Sequence, residues 1–268
     1  TLTALSALEN DVVSPSLLIE CKGYIDFYGE KFHCWKKKGH GLLNLRGALK
    51  RSCDVYFYEV ARKLGVDRLS VTAEKFGLGK KVLKNFKEEK AGVVPNTKWK
   101  LNNIGKNWYL GETLHAGIGQ GYFLSTPLQL CLMTAQLANG GFKISPRIVV
   151  DENDEANNLQ KYLDFKKNNP NNWDPVDLQV FNFGLTPLFR NQENINFVKD
   201  AMFAASNEAG GTSFSSRHTD KKFMFAGKTG SSQIKRFTES QREAEVKQTD
   251  ITYKDRDHAW FVAFAPVD

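Results

Sequence analysis

Lys228-Thr229-Gly230 lies between the apolar stretch Phe223 to Gly227 and the hydroxyl pair Ser231-Ser232. A cation, short hydroxyl donors and a glycine at the end of a strand make a place where a carboxylate can be held. The lysine supplies charge, Thr229 and Ser231 supply donors, and Gly230 lets a substrate backbone lie against the strand. The tripeptide alone is a weak signal, since a strand running into a turn has the same composition. It gains weight from Ser52-Cys53-Asp54, a short break between two apolar-periodic segments, Leu42 to Leu49 and Val55 to Ala61. Ser52 there is either a helix N-cap or a hydroxyl presented to a cleft. A third group is Cys21, Cys34, His40 and Cys53, whose intervening gaps are 12, 5 and 12 residues. Thiolates and an imidazole in that combination suit tetrahedral zinc, with His33 as a harder substitute for His40. Two other readings stay open: a Cys21–Cys34 disulfide with Cys53 left odd, or thiols that are simply buried. Cys131, alone at core spacing on a helix, reads as packing.

The pair Ser-x-Asp and Lys-Thr-Gly, in that order and 176 residues apart, matches two parts of the serine acyl-transferase set S-x-x-K, S-x-N/D, K-T-G. Three longer segments lie between them: Trp108-Tyr109-Leu110-Gly111-Glu112-Thr113, Gly117-Ile118-Gly119-Gln120-Gly121-Tyr122 and Ser125-Thr126-Pro127-Leu128-Gln129-Leu130. With Trp35 to Gly41, Gly210-Gly211-Thr212 and His258 to Pro266, they make the chain resemble the class B penicillin-binding proteins, most of all the elongation-specific transpeptidases. The likeness spans nearly the whole chain and is weakest from about 150 to 190. The glycines do not form a dinucleotide fingerprint, because Tyr122 stands where the third glycine is needed.

The resemblance implies an α/β (α+β) fold of the penicillin-binding protein and serine β-lactamase type, an antiparallel five-stranded sheet flanked by helices. It implies peptidoglycan D,D-transpeptidation through a serine acyl-enzyme, with catalytic residues Ser52, Asp54 and Lys228, carboxylate-binding residues Thr229, Gly230, Ser231 and Ser232, and β-lactams as inhibitors. Candidate zinc ligands are Cys21, Cys34, His40 and Cys53, in one structural site that the chemistry itself does not need. Partners would be stem peptides, a membrane glycan polymerase and rod-shape proteins, at the periplasmic face of a bacterial inner membrane. A β-lactam-sensing receptor, a D,D-carboxypeptidase, a serine β-lactamase and a non-catalytic wall-binding domain are the alternatives.

The first part of the set, S-x-x-K, is read as absent between Thr1 and Asp268. Ser14, Ser16, Ser206 and Ser213 have no lysine three residues on, and Thr1 to Leu8 resembles the helix that continues from the nucleophile. The catalytic serine and its lysine are therefore expected just before Thr1, and the last strand and helix after Asp268. Residues 1–268 read as one transpeptidase domain with a polar surface excursion at 151–190, and Gln233 to Asp255 reads as a loop beside the K-T-G edge.

Bulk properties agree with an ordinary folded domain: 268 residues, 41% hydrophobic and 25% charged. The net charge of +7 does not indicate nucleic acid, because the lysines are scattered apart from Lys36-Lys37-Lys38, which reads as a solvated face. Thr126-Pro127 marks a helix start and Asn139-Gly140-Gly141 its end, so Leu128 to Leu137 is expected to be helical.

Overall fold

The computed structural model describes residues 1–83, 86–146, 186–234 and 248–267, with 148, 164 and 167. The first helix, α1 (Leu2–Glu9), is buried over most of its surface, from Thr3 to Leu8. Its polar residues therefore need internal partners. Thr3 donates to the Gly117 carbonyl at 2.6 Å and Ser6 to that of Arg68 at 3.2 Å, while Thr72 donates to the Ser6 hydroxyl at 2.8 Å. A central helix tied in this way gives the site a fixed reference.

Two small antiparallel ribbons follow. Strand β1 (Ile19–Cys21) pairs with β4 (Gly41–Leu43), and β2 (Tyr24–Phe27) with β3 (Glu30–His33). Helix α2 (Leu45–Arg51) starts on Asn44, whose side chain accepts from the Gly47 amide at 2.9 Å, and α3 (Asp54–Leu64) begins three residues after α2 ends. Helix α3 buries Val55, Tyr56, Phe57, Tyr58, Val60, Ala61 and Leu64, so it runs through the core. Helix α4 (Val66–Lys75), α5 (Thr97–Ile104), α6 (Leu110–Gly117) and α7 (Pro127–Ala138) complete this side. In α7 Thr126 and Gln129 form a reciprocal capping box with Pro127 in the first turn, one residue longer at each end than the sequence pattern suggested. Cys131 on this helix is exposed, which corrects its reading as a packing residue: the buried face of α7 runs through Leu132, Met133 and Leu137.

Helix α8 (Gln192–Asn207) lies behind an antiparallel pair, β5 (Ala226–Ser232) and β6 (His258–Phe264). Its buried residues Ile195, Val198, Ala201, Met202 and Ala205 recur at three and four positions, one face of a helix. Arg46 on α2 donates to Asp200 and to Glu208, and Lys50 donates to Glu208 at 2.8 Å, fastening α2 to α8. Helices and antiparallel strands thus make the expected α+β class; of the five strands anticipated in the main sheet, two are among the described residues. The expected excursion at 151–190 lies mainly outside the described residues. Its end returns to the core, where Phe189 is buried against Phe76 with ring centroids 4.9 Å apart. Most of the Gln233 to Asp255 loop also lies outside them. Among the described residues no helix is long and apolar enough to cross a membrane.

Candidate active site and metal centre

Ser52 is the C-cap of α2 in a left-handed conformation, φ 51° and ψ 51°, and Cys53 is the N-cap of α3. A side chain at positive φ costs about 1 to 3 kcal/mol unless its surroundings impose it. Here they do. The Trp35 indole N–H donates to the Ser52 carbonyl at 2.8 Å and to that of Arg51 at 3.2 Å, and the Cys53 amide donates to the Ala48 carbonyl at 3.0 Å. The Trp35 backbone N–H donates to Asp54 Oδ2 at 2.8 Å, so one residue holds both sides of the turn. Burial pushes the Asp54 carboxyl up to about 7, against the opposing pull of that N–H.

On β5, Lys228 Nζ donates to Ser52 Oγ and, at 2.9 Å, to the Thr229 carbonyl. Burial lowers the Lys228 ammonium to about 8, and the Asp54 charge acts in the opposite direction. Strand alternation puts Thr229 and Ser231 on one face and Lys228 and Gly230 on the other. The Thr229 hydroxyl donates to that of Thr212 at 3.0 Å, and Gln120 Nε2, from the loop after α6, donates to the Ser231 carbonyl at 2.9 Å. A methyl group at Gly230 would meet nothing closer than the Trp260 Cβ at 3.9 Å. Among the described residues no neighbour requires glycine there, and the face beside Gly230 is open to them.

Cys21, Cys34, His40 and Cys53 converge: their ligand atoms all lie within 4.8 Å of one another and all four residues are buried. The ribbons bring them together. Pairing of Cys21 with Gly41 places His40 beside Cys21, and the Cys34 amide donates to the Gly23 carbonyl at 2.8 Å. His40 Nδ1 lies 3.7 Å from the Cys21 sulfur and 3.5 Å from that of Cys34, and the three buried cysteines are free thiols. The Cys53 thiol donates to Cys34, which lowers Cys34 and raises Cys53; burial lowers His40. His33 is exposed at the end of β3 and outside the cluster. Three soft sulfurs and one imidazole nitrogen, with no water-facing position, are a donor set that fits zinc.

Three contributors to this region were not singled out as site residues from sequence. Trp35, Gln120 and Thr212 lay in segments that carried the family likeness, but a tryptophan, a glutamine and a threonine in loops have no spacing that betrays which carbonyl or hydroxyl they will meet. One motif needs correction. S-x-x-K does occur in the chain, at Ser232-Gln233-Ile234-Lys235. Ser232 is the last residue of β5, not part of a helix, and positions three apart share a face on a helix but not on a strand, so the spacing does not make the reactive pair.

Helices packed on antiparallel strands, with a lysine of one strand on a serine between two helices, are the frame of a transpeptidase-type domain, and comparison with known proteins agrees: the penicillin binding protein transpeptidase domain family matches residues 1–268, and the chain belongs to that family. The chain is 32% identical over 267 residues to the peptidoglycan D,D-transpeptidase MrdA of Acinetobacter baumannii, covering 99% of this chain and 36% of that protein. It is similar to a solved structure of Pseudomonas aeruginosa PBP2 in complex with WCK 5153, with TM-score 0.74, 32% identity, and coverage of 99% of this chain and 51% of that one. A complex between PBP2 and MreC from Helicobacter pylori matches with TM-score 0.76 at 29% identity, covering 99% of this chain and 42% of that one. The chain thus spans between about a third and about half of the length of these relatives.

Proposed function

We propose that the protein containing this domain is a peptidoglycan D,D-transpeptidase of cell elongation, working through a serine acyl-enzyme. The observation that carries the reading is the Lys228 to Ser52 hydrogen bond, with Thr229 and Ser231 on one face of the adjoining strand. The serine joined to the amino end of α1 attacks the carbonyl of a terminal D-Ala-D-Ala, its lysine neighbour taking the proton. The acyl C–N bond breaks, an ester forms, and D-alanine leaves with a proton passed through Ser52. An amine of a second stem peptide then attacks the ester and restores the serine. Lys228 holds the Ser52 hydroxyl and supplies positive potential; Thr229 and Ser231 bind the substrate carboxylate; the Ser231 N–H serves the oxyanion, a contribution of about 2.7 to 4 kcal/mol in related chemistry. β-Lactams enter as substrates that stop at the ester.

The four ligands Cys21, Cys34, His40 and Cys53 would hold one structural zinc, whose binding energy becomes folding energy for the loop carrying Trp35. The domain works at the periplasmic face of the inner membrane, with a rod-shape protein, as MreC is for the Helicobacter protein, and a membrane glycan polymerase as partners. The test is mass spectrometry of the intact protein after benzylpenicillin: a single acyl adduct is expected on a peptide preceding Thr1. An adduct on Ser52 would overturn the assignment of roles.

A further inference from the structure

We propose that Thr212 is a positioning residue for the carboxylate site, and that Gly210-Gly211 is there to seat it. The inference rests on the reading of Thr229 as a carboxylate donor. After α8 the chain turns back so tightly that a Cβ at Gly211 would lie 2.3 Å from the Ala205 carbonyl oxygen and 2.7 Å from that of Ala204. Both are backbone atoms near the end of a buried helix, which cannot move aside. The Gly211 amide donates to the Glu208 carbonyl at 3.0 Å, and Ser213 closes the turn with its amide and hydroxyl on the Ala205 carbonyl at 3.0 and 3.1 Å. Thr212 is pinned between these.

From there Thr212 reaches both motifs. Its backbone N–H donates to the Lys50 carbonyl at 3.2 Å, in the last turn of α2 before Ser52, and its hydroxyl receives the Thr229 proton at 3.0 Å. A hydroxyl has one proton and two lone pairs. With no anion bound, the Thr229 proton rests on Thr212. A carboxylate only accepts, so its arrival turns the Thr229 proton toward it and leaves a Thr229 lone pair facing Thr212. Thr212 then donates in return, and the reversed pair strengthens the bond to the anion. Valine, of the same shape, would leave that lone pair against a methyl group.

The experiment compares second-order acylation of the intact protein by benzylpenicillin with acylation by its methyl ester, which lacks the anion. Thr212→Val should lower the rate for the acid about tenfold and that for the ester less than about threefold, as expected for loss of a hydrogen bond serving a charged partner. Thr212→Ser should return both to within about threefold of the parent. Equal losses on acid and ester, no loss on the acid, or a serine variant as impaired as the valine one would each overturn the proposal. Because both rates come from one preparation, their ratio is independent of the folded fraction; Thr212→Ala supplies the ratio if the valine variant does not fold. Thr229→Val separates the two layers: an unchanged acid-to-ester ratio there removes the carboxylate reading itself, whereas a changed ratio at Thr229 with none at Thr212 removes only this inference.

Discussion

The Lys228 ammonium donates to the Ser52 hydroxyl, joining two motifs 176 residues apart in the chain. One comes from a strand and the other from the strained end of a helix, so neither could be placed without α8 and the α2–α8 ion pairs between them. If this bond orients Ser52 for proton transfer, Lys228→Ala in the intact protein should slow acylation by about 100-fold or more, as loss of a preorganised electrostatic contact does. Melting temperature should not fall, since the substitution removes a cation whose burial costs stability. Stopped-flow rates with a fluorescent penicillin within about threefold of the parent, below about 1 kcal/mol in barrier, would sink the assignment.

The pH profile follows from the same residue. Burial lowers the Lys228 ammonium from its ordinary 10.5 to about 8, so the charge is present below pH 8 and is lost as pH rises through it. Carboxylate binding and acylation should therefore decline above about pH 8. The stability contribution has the opposite sign: in the unfolded chain the lysine keeps its proton up to about 10.5, so the cost of burying the cation is full below pH 8 and is relieved between about 8 and 10.5. Lys228→Arg, which stays charged throughout, should abolish the alkaline decline in whatever activity it retains. A decline of the same shape in that variant would assign the limb to another group.

The two candidate motifs that the structure brings together could be read in the sequence because each is local: a hydroxyl and a carboxyl two positions apart at a helix break, and a cation, hydroxyl and glycine in one strand. The helix at Leu128 to Leu137 was legible for a similar reason, since its Thr-Pro start and Asn-Gly-Gly stop are local. Long-range contacts carry no such signature. Nothing near Trp35 announces that its indole will cap a turn 17 residues later in the chain, and nothing near Gln120 points to Ser231. Cys131 shows the converse error. Its spacing fitted an apolar stripe, but the stripe on α7 is broad enough that only packing decides which edge faces inward.

Gly230 separates substrate contact from folding. An added methyl would find the Trp260 Cβ at 3.9 Å, an ordinary contact, and the residue lies within a regular strand pair. Gly230→Ala should thus leave the melting temperature within a few degrees and lower acylation by peptide-like substrates and penicillin alike, by about tenfold if a substrate backbone must lie against the strand. If urea or thermal melts show a loss above about 1 kcal/mol while acylation persists, the glycine serves the fold and not the ligand.

The metal prediction ties stability to catalysis through one side chain. Cys34 is followed by Trp35, whose backbone N–H reaches Asp54 and whose indole N–H reaches the Ser52 carbonyl, while Cys53 sits between Ser52 and Asp54 in the turn itself. Two of the four candidate ligands are thus adjacent to residues that shape the turn. Structural zinc in small sites binds with about 10 to 16 kcal/mol, so losing one ligand should be felt in folding as well as in metal content. Cys34→Ala and His40→Ala should lower the melting temperature and slow acylation together, and Trp35→Phe should slow acylation with zinc content unchanged, because it removes only the indole N–H. Protein purified without added metal should contain about one equivalent of zinc by elemental analysis. Zinc well below that, together with a Cys21–Cys34 disulfide in the peptide map, would leave a covalent staple in place of the metal; a Trp35→Phe protein that acylates like the parent would show that the turn keeps its strained Ser52 without help from the loop.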